Sequence, residues 1–174
     1  MVVLRCTRKL LRRLRKTPVE DVPRSTTLLG DWYANVLWVY RKPLILAVNA
    51  RTLLPVLIPA RDPGSLANRL AAELGEMLKA LGVQFQQVEE EQRQMAEIVF
   101  AQAISRQILG TMNDFDRMLD PAPGQSLTSA TLELAAAPCG PIAMESPDRA
   151  TVKLFASPYL DSGLIRFPRK QAER

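Results

Sequence analysis

The chain contains no histidine. Without an imidazole it has no Ser-His or Cys-His pair, no HExxH zinc motif and no ordinary side-chain base that titrates near neutral pH. An enzyme built on this chain would depend on carboxylates, lysine, a thiolate or a bound cofactor. The composition therefore favours a non-catalytic protein, and we expect neither a cofactor nor a metal site.

Cysteines and long apolar runs are also scarce. Cys6 and Cys139 are the only cysteines, and two widely separated cysteines are typical of free thiols in a reducing compartment. No apolar run approaches the roughly 20 residues that span a bilayer, and the start lacks the apolar stretch and cleavage site of a secretory signal. We expect a soluble, cytoplasmic protein that does not contact a membrane.

Positive charge is concentrated at the start of the chain. The net charge is +5, yet residues 1–16 alone carry seven cations and no acid. Helical periodicity places Leu10, Leu11 and Leu14 on one side of a helix, with Thr7 as its N-cap. The other side carries Arg8, Lys9, Arg12, Arg13, Arg15 and Lys16. A weaker basic cluster closes the chain at Arg166, Arg169, Lys170 and Arg174.

A cationic helix face of this kind is typical of proteins that bind the phosphate backbone of DNA or RNA. An acidic partner protein, acidic residues elsewhere in the chain, or solvent alone would also accommodate it. A mitochondrial transit peptide is a further interpretation of an Arg-rich start, which the strand-like opening opposes. We take nucleic-acid binding or regulation as the leading hypothesis and docking of an acidic partner as the alternative.

A third hypothesis concerns Cys6 and Arg12. They follow a predicted strand with the C-x5-R spacing by which cysteine phosphatases place a thiolate and an arginine around an oxyanion. Cys6 would be a low-pKa nucleophile and Arg12 a bidentate clamp. However, no glycine lies between them, and Leu10 and Leu11 resemble helix core. The structural alternative is a buried Cys6 at the end of a core strand.

The middle of the chain predicts an antiparallel meander over about residues 32–60. Apolar runs at 32–40, 43–49 and 52–60 are separated by breaks so short, the first at Arg41-Lys42, that neighbouring strands must be antiparallel. Pro55 cannot donate to a ladder, which indicates an edge strand or a bulge. We expect the aromatic residues here to be sheet core, although they could stack on bases: Trp32, Tyr33, Trp38 and Tyr40.

The predicted fold class is α+β. Strands near 2–5 and 97–103 extend the meander, and helices are predicted near 8–16, 65–81, 85–95, 105–119 and 147–155; the segment 127–136 fits a helix or a strand. Glu89, Glu90 and Glu91 point in different directions around their helix, so we expect them to face solvent or to balance the basic helix. One domain spans residues 1–156, and a partly ordered basic extension follows at 157–174.

The helix predicted at 105–119, with Ser105 as N-cap, carries two stripes. The core stripe is Ile108, Met112, Phe115 and Leu119, and the second is Arg106, Gly110, Asn113 and Arg117. A helical glycine costs about 1 kcal/mol relative to alanine, which suggests a close contact at Gly110. We favour packing against the chain's own backbone, with Arg106 paired to Asp114 or Asp116, over a ligand held by Arg106 and Asn113.

Four segments carry a resemblance: LRCTRKLLRRL (4–14), the run 25–60 that contains GDWYAN, SRQILGTMNDF (105–115) and PCGPIAMESPDRAT (138–151). Together they resemble a bacterial family of uncharacterised single-domain proteins, a domain of unknown function, up to about Phe155. Where that family has a Lys-Thr pair and an Arg-Ser step, this chain has Gln102-Ala103 and Arg106-Gln107. The resemblance implies a domain extent and a fold, and it implies no activity.

Overall fold

The computed structural model describes residues 1–122 and 124–157. Its strands are β1 (Val2–Cys6), β2 (Trp32–Val39), β3 (Lys42–Asn49), β4 (Pro55–Pro59) and β5 (Ile98–Gln102). Its α-helices are α1 (Arg8–Leu14), α2 (Leu66–Ala80), α3 (Phe85–Gln94), α4 (Arg106–Met118), α5 (Leu127–Ala135) and α6 (Pro147–Phe155). The predicted α+β class is confirmed.

The strands form one mixed sheet in the order β4-β3-β2-β1-β5. The meander from β2 to β4 is antiparallel as predicted, and Pro55 lies in the edge strand β4. Strand β1 lies parallel to both of its neighbours, with Cys6 beside Ala34 of β2 and Gln102 of β5. Since parallel strands cannot be joined by a tight turn, α1 and the segment after it form the crossover between β1 and β2.

Helices cover both faces of the sheet, which gives three layers. Alternate strand residues such as Leu4 and Trp32 point to one face, where α1, α2, α3 and α6 bury their apolar sides. Residues of the other register, such as Tyr33 and Leu46, meet α4 and α5. The segment left open at 127–136 is helical, with Ala130 buried in the second core. Helices α1 and α4 therefore lie on opposite faces of the sheet.

The turn between β2 and β3 differs from the predicted break by one residue. Val39 pairs with Lys42, so the two-residue turn is Tyr40-Arg41 rather than Arg41-Lys42. Tyr40 has φ +46° and Arg41 has φ +64°. Two positive φ angles define a type I′ turn, which Asn-Gly adopts at far lower cost than residues with bulky side chains. The hairpin thus holds a tyrosine and an arginine at its end despite backbone strain.

The glutamates of α3 do not all face solvent. Glu91 is 2% exposed, and its carboxylate accepts hydrogen bonds from the backbone N–H of Leu28 at 2.8 Å and of Leu29 at 3.1 Å. For Glu91 the predicted solvated position is wrong, because the loop before β2 presents two backbone donors that need an acceptor away from water. Burial raises the pKa of the Glu91 carboxyl above its ordinary value, although those two hydrogen bonds oppose the shift.

The basic cluster predicted at the end of the chain lies outside the described residues. The same holds for most of the extension predicted at 157–174, of which the structure describes Ser157. Both remain predictions, as does the single-domain boundary at residue 156.

Candidate functional site

Helix α1 is held by caps at both ends and by an apolar side. The Thr7 hydroxyl accepts a hydrogen bond from Leu10 N at 3.3 Å, as the sequence predicts. Leu10, Leu11 and Leu14 are buried in the first core. The helix ends at Leu14 because Arg15 adopts a left-handed conformation, with φ +54°. The remaining side faces solvent, and its six cations are all exposed: Arg8, Lys9, Arg12, Arg13, Arg15 and Lys16.

Described carboxylates do not neutralise these cations. Across residues 1–122 and 124–157, none of the six forms an ion pair. Two of them lie over aromatic rings instead, with the Arg13 guanidinium 5.8 Å from the centre of Trp38 and the Lys16 ammonium 5.5 Å from that of Phe100. Glu90, one of the acids that the sequence offered as a counter-charge, pairs with Arg93 of its own helix.

The four aromatic residues of β2 and its turn divide into a buried pair and an exposed pair. Trp32 and Tyr33 are 0% and 5% exposed, so the expectation of sheet core is confirmed for them. Trp38 and Tyr40 are 56% and 66% exposed, so that expectation is wrong for both. Along β2, burial ends after Leu37, so that Trp38 and, in the turn, Tyr40 are exposed.

Trp38 lies next to α1, and Tyr40 follows it two residues later in the turn. We call residues 38–42 the hairpin tip. Arg13 reaches it over Trp38, and Arg13 also donates to the carbonyl of Ala60 at 3.2 Å. That contact places the end of β4 beside α1. Three further exposed cations are adjacent in sequence: Arg41 and Lys42 follow Tyr40, and Arg61 follows Ala60. The sequence does not indicate these three cations as site residues, because their proximity to α1 depends on strand pairing.

The hairpin tip is also held from the loop that follows α4. The Tyr40 hydroxyl donates to the Asp120 carboxylate at 2.9 Å, and the Pro121 carbonyl lies 3.1 Å away. The hydrogen bond to Asp120 raises the pKa of the Tyr40 phenol. One edge of the ring is therefore fixed while most of its surface remains open to solvent.

Two grooves lie on the α6 side of the molecule, and no residue of α1 lines either of them. One of about 520 Å³ is lined by the segment 136–149 and Lys153. Another of about 350 Å³ lies beside α3, where Glu90 and Glu91 form part of its wall. Glu90 and Glu91 disfavour an anionic ligand in the second groove. The exposed cations of α1 lie outside both grooves, and we take them as the candidate site.

On the second stripe of α4, the surroundings of Gly110 differ from those that the sequence predicts. Ser105 caps the helix as predicted, and Ile108, Met112 and Phe115 are buried. A Cβ placed on Gly110 would meet no atom within 4 Å. The favoured prediction, that this chain's own backbone packs closely there, is therefore wrong, and the ligand alternative stays a prediction.

The cations of that stripe are exposed together with Asn113. Asp114 pairs with Arg117 at 3.2 Å, rather than with Arg106 as one interpretation had it. Because α4 covers the face opposite α1, Gly110 and Arg12 do not share a cleft.

Cys6 lies in the first core rather than in an anion-binding loop. It is 0% exposed, and burial raises the pKa of its thiol to about 12. The residues that would have to form a phosphate-binding loop between Cys6 and Arg12 belong instead to α1, and Arg12 is exposed to solvent. This geometry supplies no thiolate at neutral pH. It does not support the phosphatase hypothesis.

Neither a membrane span nor a metal cluster is apparent in the described parts of the chain. No helix there combines the length and apolar character needed to cross a bilayer. In residues 1–122 and 124–157, no three acidic or cysteine side chains gather where they could hold a metal ion.

A mixed sheet between two helix layers, with an exposed cationic helix in one of them, defines a three-layer α+β protein. The chain belongs to the family described as a domain of unknown function (DUF6933), whose model matches residues 3–150. This agrees with the resemblance to a domain of unknown function found in the sequence. The chain matches none of the curated proteins and none of the solved structures with which it was compared.

Proposed function

We propose that this protein binds nucleic acid through the cationic surface, which we define as the six cations of α1 and its C-terminal flank together with the hairpin tip. The observation that carries the proposal is that these six exposed cations have no ion-pair partner among the described residues. A regularly charged polyanion such as DNA or RNA would supply the missing negative charge. Its binding would be favourable because each phosphate that a cation neutralises releases condensed counterions.

The local sequence of α1 supports a use for these charges beyond solubility. Arg8 and Arg12 are four residues apart, a spacing at which like charges repel on a helix surface. Arg8 and Lys9 also occupy the first turn, which has no acidic residue, and there the helix dipole disfavours cations. The first turn of α1 thus departs from the preferred charge pattern, whereas Arg12 and Arg13 in its last turn follow that pattern. A ligand that relieves the repulsion would explain the departure.

The test compares two triple variants with the same net charge. One replaces Arg8, Lys9 and Arg12 with alanine, which leaves intact the Arg13 and Lys16 contacts with aromatic rings and the left-handed Arg15. Its control replaces three exposed cations outside α1 that already pair with carboxylates, namely Lys79, Arg93 and Lys153. Binding of a fluorescein-labelled DNA or RNA oligonucleotide is measured by anisotropy between about 50 and 200 mM salt.

We expect wild type and control to bind with affinity that falls steeply with salt. The α1 variant should bind more weakly, with a logarithmic salt dependence shallower by about 2 to 3 for three lost phosphate contacts. Wild-type binding that is absent or insensitive to salt would contradict the proposal. Binding of poly-glutamate through α1, without binding of DNA or RNA, would instead support the acidic-partner alternative.

A further inference from the structure

The hairpin tip shows what form of nucleic acid the cationic surface suits. Trp38 and Tyr40 expose more than half of their surface, whereas Trp32 and Tyr33 on the same strand are buried. Exposed rings close to cations are the arrangement with which proteins hold unpaired bases, since every base has a face that can stack on an aromatic side chain. In a duplex those faces are covered by neighbouring base pairs.

Two contacts hold the rings in place. The Arg13 guanidinium lies 5.8 Å from the centre of the Trp38 ring, so a phosphate bound to α1 and a base stacked on Trp38 would be close neighbours. The Tyr40 hydroxyl is fixed by Asp120, which leaves the ring face free. A ring that is already held in place loses less conformational entropy when a base stacks on it.

The backbone of the turn gives an independent indication. Tyr40 and Arg41 both have positive φ angles, at positions where Asn-Gly is the favoured pair. An exposed tyrosine and arginine contribute little to the core, so their packing does not explain why the turn carries this strain. Strain of this kind is concentrated at binding sites, where the side chain that it presents is what the protein uses.

We infer that the cationic surface binds single-stranded nucleic acid, with bases stacked on Trp38 and Tyr40 and phosphates held by Arg13 and the exposed cations of α1. This inference rests on the proposed nucleic-acid binding and narrows it to unpaired strands. Arg41 and Lys42, which adjoin the two rings in the chain, would extend the phosphate track along the hairpin.

The test uses a fluorescein-labelled oligonucleotide of about 12 nucleotides, as single-stranded RNA, as single-stranded DNA of the same sequence, and as the matched DNA duplex. The variant carries Trp38→Ala and Tyr40→Ala. Phe85→Ala is the control, because Phe85 is 61% exposed and lies on α3. Circular dichroism and thermal melting establish that each variant is folded, which is expected since all three rings are exposed.

We expect wild type to bind a single strand at least 10-fold more tightly than the duplex. Each lost ring should weaken single-strand binding by about 10-fold, the stacking contribution of one base, while duplex binding changes less than about 2-fold. Phe85→Ala should bind as wild type does. A preference between the RNA and DNA strands then tells which of them the surface suits, and either preference supports the inference.

Failure of the inference is distinguishable from failure of the proposed function. Equal affinity for duplex and single strand, or unchanged single-strand binding by the double variant, would overturn the inference while salt-dependent binding through α1 stands. Absence of binding to all three oligonucleotides would overturn both.

Discussion

The side-chain amide of Gln92 on α3 occupies the space that a side chain at Gly75 on α2 would need. A Cβ built on Gly75 would lie 2.1 Å from Gln92 Nε2, which donates to the carbonyl of Ala71 at 2.9 Å. The two helices therefore lock together through a glycine and an amide, and Gly75 is required by this contact rather than by its backbone angles.

Replacing Gly75 with alanine should destabilise the protein by about 1 kcal/mol, measured as the free energy of unfolding in urea. The methyl group breaks the Gln92 hydrogen bond, at about 1 kcal/mol, and displaces the packed amide, at about 1 kcal/mol more. Together these costs outweigh the gain of about 1 kcal/mol from the better helix propensity of alanine. In a Gln92→Ala background, Gly75→Ala should become stabilising, because only the better helix propensity of alanine then acts. Destabilisation of equal size in both backgrounds would contradict this account.

Gly110→Ala should have the opposite effect. A Cβ there meets nothing within 4 Å, so the helix should gain up to about 1 kcal/mol from the better propensity of alanine. Gly82 provides the matched control: it is equally open, but its φ of +79° makes alanine unfavourable. A Gly110→Ala variant that is less stable than wild type would contradict the open environment of Gly110.

Replacing Tyr40-Arg41 with Asn-Gly should stabilise the hairpin. Each left-handed residue with a side chain costs about 1 kcal/mol that Asn or Gly largely avoids, so the midpoint of urea unfolding should rise. The same variant should bind single strands more weakly. A variant that is less stable than wild type would show that the hydrogen bond of Tyr40 to Asp120 outweighs the strain.

The buried carboxyl of Glu91 should give the protein a distinct pH dependence. Its pKa is raised above the ordinary 4.5 chiefly by burial, with Glu90 adding to the shift and Arg51 opposing it. The folded state thus holds this proton more tightly than the unfolded chain does. The contribution of Glu91 to the free energy of unfolding is therefore greatest below pH 4.5. It decreases as the pH rises through the folded-state pKa, and at higher pH it no longer changes.

Glu91→Gln isolates the titration, because an amide does not ionise in this pH range. Its single oxygen can accept only one of the two backbone hydrogen bonds, which adds a cost that does not depend on pH. The difference in unfolding free energy between wild type and this variant should shift in favour of the variant as the pH rises from about 4.5. Glu91→Ala should cost about 1–3 kcal/mol, because it leaves the N–H groups of Leu28 and Leu29 without an acceptor, and that cost should also decrease as the pH rises. A difference between wild type and Glu91→Gln that is independent of pH would contradict the raised pKa.

Most of the elements were predictable, because the signals that define them are local. The meander follows from apolar runs with short breaks, α1 from its leucines and the Thr7 cap, and α4 from its core stripe and the Ser105 cap. The candidate site was predictable in part. The cations of α1 were found from the charge pattern, whereas Trp38 and Tyr40 were expected in the core. An aromatic residue in a strand gives the same sequence pattern whether or not a helix covers it.

By itself, the sequence determined most of the helical and extended segments, though not the state of 127–136, as well as which side of α1 is cationic and that no imidazole chemistry is available. The tertiary structure alone decided that β1 pairs in parallel with both neighbours, that Glu91 is buried beneath the loop at Leu28 and that Trp38 stays exposed beside Arg13. Periodicity and capping act within a few residues, whereas burial and pairing depend on segments that lie tens of residues apart and meet only when the sheet is assembled.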